Sequence, residues 1–125
     1  MAAITTIAAK RKILLARAGD AQLPKIAQMA FGSGGVDADG NVIELTDEQQ
    51  YLNNEVYRKD IAMHEIVSDT QIRYICELGE DELAGEKISE LALVDEDGDL
   101  VTIKHFAAKD KDNDFAFTFK VNDTM

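Results

Sequence analysis

The sequence predicts an α+β fold, in which an N-terminal helix and a short second helix pack on an antiparallel β-sheet or sandwich. Apolar residues recur at helical spacing near the N-terminus, whereas several later segments alternate between apolar and polar residues, as half-buried strands do. The 125 residues, of which 46% are hydrophobic, are enough for one domain with its own core. We therefore expect a single domain that spans residues 1–125.

The first helix is placed by its two ends. Thr5 or Thr6 can cap a helix that runs to about Ala18, and Gly19 would end it in a left-handed conformation. Four basic side chains form the only concentrated positive patch of the sequence: Lys10, Arg11, Lys12 and Arg17. This basic face is either a solvated flank or a docking surface for an acidic neighbouring subunit.

A second helix and a glycine-rich turn are predicted from local motifs. Thr46-Asp47-Glu48-Gln49 has the pattern of a capping box, which predicts a short helix from Asp47 to about Asn54. Gly32-Ser33-Gly34-Gly35 is expected to form a flexible or left-handed turn. It lacks the lysine and the spacing of phosphate-binding loops, so it does not predict a nucleotide site.

Six strands are predicted, and two of them form a hairpin around an Asp-Gly turn. Phe115, Phe117, Phe119 and Val121 form the clearest period-two pattern and predict a buried face on the last strand. The segment from Ala107 to Asn113 is expected to be a charged linker. The strands are Lys25–Phe31, Tyr57–Val67, Gln71–Leu78, Lys87–Val94, Leu100–Phe106 and Asp114–Val121.

Charge and composition narrow the possible partners. The formal net charge is −11, which argues against binding to nucleic acid and to anionic membrane surfaces, because both need a basic patch. The sequence has one cysteine, Cys76, so it can form no internal disulfide. It contains no apolar run long enough to cross a membrane and no secretory signal pattern, so we expect a cytosolic origin.

No pattern in the sequence predicts a catalytic, cofactor-binding or metal-ligating residue. Two acidic segments resemble calcium loops, but Val42 and Leu100 stand where the EF-hand loop needs its glycine. Both segments are better interpreted as Asp-Gly turns. His64 and His105 are far apart in the sequence and do not have the spacing of a zinc site. An enzyme is therefore not expected.

Three blocks, in this order and at these separations, resemble the N-terminal domain of phage tail-collar fibre proteins. The first is the strand and glycine loop Met29–Gly35, the second is Asn53–Arg58, and the third is the hairpin Ile88–Val101. The resemblance covers roughly Thr5 to Phe106. The residues that match the family's motifs are Phe31, Gly32, Gly34, Gly35, Asn54, Glu55, Tyr57, Arg58, Asp97 and Gly98.

The resemblance implies a structural protein of a phage or prophage-derived tail, which attaches the tail fibre to the baseplate. It also implies a homo-trimer and partners among baseplate or other tail proteins. The protein would be made in the bacterial cytoplasm and located in a virion tail or tail-like particle. Most of the matching residues would set the fold. Glu55 and Arg58 could form an ion pair between subunits or within one chain. The alternative is an acidic cation-binding or regulatory protein-interaction module.

Overall fold

The computed structural model describes residues 3–112 and 116–125 and shows a mostly β protein. Strands account for 51% of the described residues and helix for 9%, so the predicted α+β class with two helices is wrong. The elements are β1 (Ile4–Thr5), α1 (Ile7–Arg17), β2 (Ile26–Gly32), β3 (Glu55–Asp60), β4 (Met63–Ser68), β5 (Gln71–Leu78), β6 (Glu86–Asp95), β7 (Leu100–Lys111) and β8 (Phe117–Thr124).

The strands form two antiparallel sheets. The larger sheet has the order β1-β7-β6-β2-β3, and the smaller sheet has the order β4-β5-β8. At the centre of the larger sheet, β6 pairs with β2 on one side and with β7 on the other. Every residue of β6 from Ile88 to Asp95 is buried, so this strand is the structural centre of the protein.

The chain passes from one sheet to the other within the single strand that the sequence predicts over Tyr57–Val67. Asp60 pairs with Gln28 in the larger sheet, and Met63 pairs with Ile75 in the smaller one. An alternating pattern does not reveal such a change of partner, since both strands have the same period.

The second helix, predicted from Asp47 to Asn54, is absent because tertiary partners take its backbone groups. The carbonyl of Asp47 accepts a 2.7 Å hydrogen bond from the amide of Ile7 instead of from a residue of its own segment. The side chain of Gln49 donates to the carbonyl of Tyr51 and does not close the capping box. The amides of Asn53 and Asn54 donate to Glu90.

The first helix is present, and the sequence places both of its ends well. Its N-cap is Thr6, whose hydroxyl accepts a 3.1 Å hydrogen bond from the amide of Ala9. Gly19 follows the helix with φ of 81°, the left-handed conformation that glycine adopts at little cost.

The prediction of a charged linker after Phe106 is wrong for the part of that segment that the structure describes. Residues 107–111 continue β7, and Asp110 and Lys111 lie opposite Lys87 and Glu86 of β6. The buried Lys111 anchors this extension, because its ammonium donates to the backbone carbonyl of Glu80 at 2.9 Å and lies 5.6 Å from the centre of the Phe117 ring.

The hydrophobic core has two parts, one on each face of the larger sheet. Between the sheets, the rings of Phe31 and Phe119 lie 5.1 Å apart, within a cluster that also contains Met29, Cys76 and Val121. The last strand thus buries Phe119 and Val121 inside its own chain, whereas Phe115 of the predicted ladder lies outside the described residues. On the other face, the loop between β2 and β3 buries Leu52 against the sheet.

Candidate functional site

The centre of the candidate site is the carboxylate of Glu90, a fully buried residue of β6. Its Oε1 accepts hydrogen bonds from the backbone amides of Gly34, at 3.1 Å, and Asn54, at 2.8 Å. Its Oε2 accepts from the amide of Asn53 at 3.0 Å. Because a buried carboxylate needs donors in place of water, these amides allow Glu90 to be buried. The bonds also tie both ends of the β2–β3 loop to the central strand.

Neighbouring side chains complete what we call the Glu90 cluster: Ser89, Glu90, His105, Asn53, Asn54 and the loop 33–35. The hydroxyl of Ser89 accepts a 2.9 Å hydrogen bond from the amide of Gly35. The side-chain amides of Asn53 and Asn54 donate to the Gly34 carbonyl at 2.8 Å and to the Ser33 hydroxyl at 2.6 Å. Polar groups of all three sequence blocks therefore meet, or adjoin one another, in this cluster.

The three motif glycines serve close packing, and the expectation of a left-handed turn is wrong. Gly32, Gly34 and Gly35 all lack a positive φ. A Cβ atom on Gly34 would lie 2.5 Å from the Cβ of Asn53, and one on Gly35 would overlap the backbone carbonyl of Ser89. The loop therefore needs glycine so that its backbone can reach β6 and the donors can reach Glu90.

His105 closes the cluster from β7, where it lies opposite Glu90. It is fully buried, and its Nδ1 lies 2.8 Å from the carbonyl oxygen of Ile43. A carbonyl can only accept, so Nδ1 carries a proton. The Nε2 atom lies 3.4 Å from Oε2 of Glu90, and a protonated ring forms an ion pair with that carboxylate.

Sequence reasoning missed Glu90 and His105 as partners. Glu90 sits inside the apolar run of β6, and an acid within such a run is the signal that a buried partner exists. The register of the hairpin, which places His105 opposite Glu90, was needed to identify the partner.

The motif residues after Asn54 form a second polar group along β3. Arg58 and Glu55 make a 2.8 Å ion pair within the chain. The hydroxyl of Tyr57 donates to Glu82, and the ammonium of Lys59 lies 2.5 Å from the same carboxylate. The hydrogen bonds from Lys59, Tyr57 and the Gly79 amide lower the pKa of Glu82 to about 2. Glu82 therefore holds the β5–β6 connection against β3.

The motif residues Asp97 and Gly98 lie in the turn between β6 and β7. Gly98 has φ of 86°, which confirms the predicted Asp-Gly turn. The Oδ1 atom of Asp95 accepts hydrogen bonds from the amides of Asp97, at 3.0 Å, and Asp99, at 3.1 Å. The turn is thus organised by a carboxylate that is itself buried.

A lysine from α1 offsets part of the negative charge of this turn. The ammonium of Lys12 lies 2.6, 3.1 and 2.8 Å from carboxylate oxygens of Asp95, Asp97 and Asp99. Burial opposes the charge of Lys12, but the hydrogen bonds to the three aspartates outweigh it and raise its pKa. These aspartates are the only group in the described ranges whose geometry could hold a metal ion. Lys12 occupies the position that such an ion would take.

Cys76 and His64 are the other candidates for reactive side chains, and their surroundings in the described structure give little support for reactivity. Cys76 is buried, and burial raises the pKa of its thiol to about 11, so the nucleophilic thiolate is scarce at neutral pH. His64 lies on the exposed strand β4, with its ring 5.9 Å from that of Tyr74. It belongs to a different sheet from the buried His105. No helix in the described ranges has the length and apolar character needed to span a bilayer.

The comparisons with known proteins agree with the three sequence blocks. No match was found among curated proteins or among solved structures. The family model described as "Phage tail-collar fibre protein, N-terminal" matches residues 1–120, which include every element of the Glu90 cluster. The chain therefore belongs to the phage tail-collar fibre protein family and represents its N-terminal domain.

Proposed function

We propose that this chain is an attachment domain, which joins a tail fibre to the baseplate of a phage or prophage-derived tail. The family is one of structural tail proteins, and its members are located in the virion tail. Family membership does not specify where the domain attaches, so attachment at the baseplate is the part that we propose.

The Glu90 cluster is the observation that carries this proposal. Its donors and acceptors are directed at one another: three amides at Glu90, one amide at Ser89, and two asparagine side chains at the glycine loop. Such an arrangement fixes the shape of a loop. A rigid shape is what an attachment domain needs, because its partner recognises a surface.

We further propose that the chain folds as one domain over residues 1–125 and assembles as a homo-trimer. Family resemblance supports the trimer. Glu55 and Arg58 form their ion pair within one chain, so this pair is not needed as a contact between subunits. Its place on the edge strand β3 still leaves it available to a neighbouring tail protein.

The test uses tail particles that assemble without this chain. Purified chain carrying a gold label is added, and electron microscopy locates the label on the particles. Attachment predicts label at the baseplate end and a copy number that is a multiple of three by quantitative mass spectrometry. Label spread along the tail tube, or a folded chain that leaves the particles unlabelled, would contradict the proposal.

The cation-binding alternative can be tested directly at the Asp95 turn. Lys12 already supplies the positive charge there, so calcium would have to displace a bound ammonium. We therefore expect calorimetric titration with calcium to give no stoichiometric heat, and a tight one-to-one isotherm would favour the alternative.

A further inference from the structure

The helix α1 has an outer surface that its own chain does not cover. We call the exposed residues of this surface the outer stripe: Ile7, Lys10, Arg11, Leu14, Arg17 and Ala18. Leu14 is 61% exposed and Ile7 is 46% exposed, although both are large and apolar. The stripe contains three basic residues and no acid, in a chain of net charge −11.

Two of the basic residues in the stripe form no ion pair within the part of the chain that the structure describes. Lys10 pairs with Asp47 at 3.0 Å, but Arg11 and Arg17 make no ion pair with any described residue. Lys12, which the sequence places in the same basic face, turns away to the Asp95 turn. The outer stripe thus combines apolar side chains with two arginines that lack an ion-pair partner among the described residues, which is the composition that interface centres favour.

A groove of about 750 Å³ lies on the opposite flank of the same helix, between α1 and the smaller sheet. The walls of this groove are largely apolar and include Ile13, Leu23, Ile26, Ile61, Met63 and Met125. Its size is within the range of natural binding pockets.

The described lining of the groove carries an excess of acidic charge. Asp60 and Asp123 line it, and neither makes an ion pair with a described residue. Asp123 is half-buried, and this burial raises the pKa of its carboxyl, so a nearby cation would favour the ionised form. Lys12, Lys25 and His64 also line the groove. Lys12 is paired with Asp95, so the carboxylates of Asp60 and Asp123 face one lysine, Lys25, that makes no ion pair with a described residue.

We propose that the outer stripe of one copy docks in the groove of a second copy, with Leu14 in the apolar centre and Arg11 and Arg17 toward Asp123 and Asp60. Both halves of the contact lie on this chain, and they match in charge and in apolar character. The two surfaces are different, so the contact is head-to-tail and closes into a ring at a suitable angle. This inference rests on the self-association in the proposed function and names its surface.

The test measures self-association by analytical ultracentrifugation across a concentration series. Leu14→Gln and the pair Arg11→Glu with Arg17→Glu are expected to raise the dissociation constant by about tenfold or more, because they remove the centre of the contact. All three residues are exposed, so melting temperatures should stay close to that of the parent chain. Added salt should weaken the association of the parent chain.

Ile66→Gln is the matched control, since Ile66 is 79% exposed on β4 and lies outside both the stripe and the groove. It should leave self-association unchanged. Charge exchange gives the sharper test: Asp123→Arg should weaken association alone and restore it partly in the presence of Arg11→Glu and Arg17→Glu.

Three results would overturn the inference. One is a monomeric parent chain at all concentrations, and another is unchanged association of the Leu14→Gln variant. The third is a loss of tail binding by Leu14→Gln in a chain that is monomeric, because the stripe would then serve another tail protein. Binding of the parent chain to tail particles in any of these cases leaves the proposed attachment role intact. A ring that depends on Leu14 but does not bind tails would contradict the proposed function alone.

Discussion

At the scale of single residues, the decisive feature is an acid in the most buried strand. Glu90 has no exposed surface and stays in place because three backbone amides and His105 surround it. Removing one side of a buried charged network is costly, since the groups that remain keep their desolvation penalty. Glu90 is therefore expected to be far less tolerant of substitution than the exposed acids of the chain.

Replacing Glu90 with glutamine tests this expectation. The side chain keeps its size, but its NH₂ group replaces one acceptor and faces backbone N–H donors. We expect a loss of roughly 2–4 kcal/mol in the free energy of unfolding, measured by urea denaturation. Glu77→Gln, at an exposed position of β5, is the control and should change stability little. Equal stability of both variants would mean that the cluster does not hold the loop.

At the scale of elements, the β2–β3 loop takes its shape from contacts with the larger sheet. The loop contains glycines where its backbone touches β6, and its only buried large side chain near β3 is Leu52. A capping-box sequence inside the loop does not form a helix, because tertiary hydrogen bonds take the same backbone groups. Local propensity is overridden wherever such contacts are available.

Gly35→Ala should disrupt this loop. The new methyl group would overlap the backbone carbonyl of Ser89, which cannot move without disturbing the central strand. We expect a destabilisation of about 3 kcal/mol, at the upper end of overpacking effects, in a thermal or urea melt. Gly79→Ala is the matched control, since its Cβ would meet only the Glu82 side chain, at an ordinary 3.5 Å. A parent-like melt for Gly35→Ala would contradict the close-packing role.

The connection between β5 and β6 should depend on pH through Glu82. Its pKa is about 2 in the folded chain, because of Lys59, Tyr57 and the Gly79 amide, and about 4.3 in unfolded chains. A lowered folded pKa contributes stability above the unfolded pKa, and this contribution is lost as the pH falls from about 4.3 toward 2.

The measurement is the free energy of unfolding of the parent chain and of Glu82→Gln between pH 6 and pH 2. The difference in the free energy of unfolding between the two proteins should be largest above pH 5 and should disappear as the pH approaches 2. Because the Glu82 side chain is 26% exposed, solvent screening keeps this gap modest. A gap that stays constant with pH would exclude the ionised carboxylate as its source.

At the scale of the whole molecule, aromatic packing joins the two sheets. Phe119 of β8 is 8% exposed and contacts Phe31 of β2 across the interface between the sheets. Phe106 and Phe117 surround the same ring at 6.5 and 6.1 Å. The sheets share this core, so we expect them to unfold together.

Phe119→Ala tests the joint core. The cavity should reduce the free energy of unfolding by about 3–5 kcal/mol, as phenylalanine truncation in a packed core does. Ile66→Ala, at the exposed edge strand, should cost far less, because its side chain is 79% exposed. Two separate unfolding transitions in calorimetry of the Phe119 variant would mean that the sheets are independent units.

The sequence determined what depends on neighbours along the chain. Thr6 and Gly19 set the ends of α1, the alternating residues set β5 at Gln71–Leu78, and the Asp-Gly turn set the hairpin of β6 and β7. The order of the three motif blocks was sufficient for the family. These features rest on capping, periodicity and turn chemistry, which act over a few residues.

Only the tertiary structure decided which distant groups meet. It divided the predicted strand over Tyr57–Val67 between two sheets, removed the second helix and placed Glu90, Asn54 and His105 together. It also turned Lys12 toward the Asp95 turn and left Leu14 facing outward. These outcomes depend on strand register and on buried hydrogen bonds between residues far apart in the chain. A local pattern specifies which side chains need partners, but the packing of the sheets selects those partners.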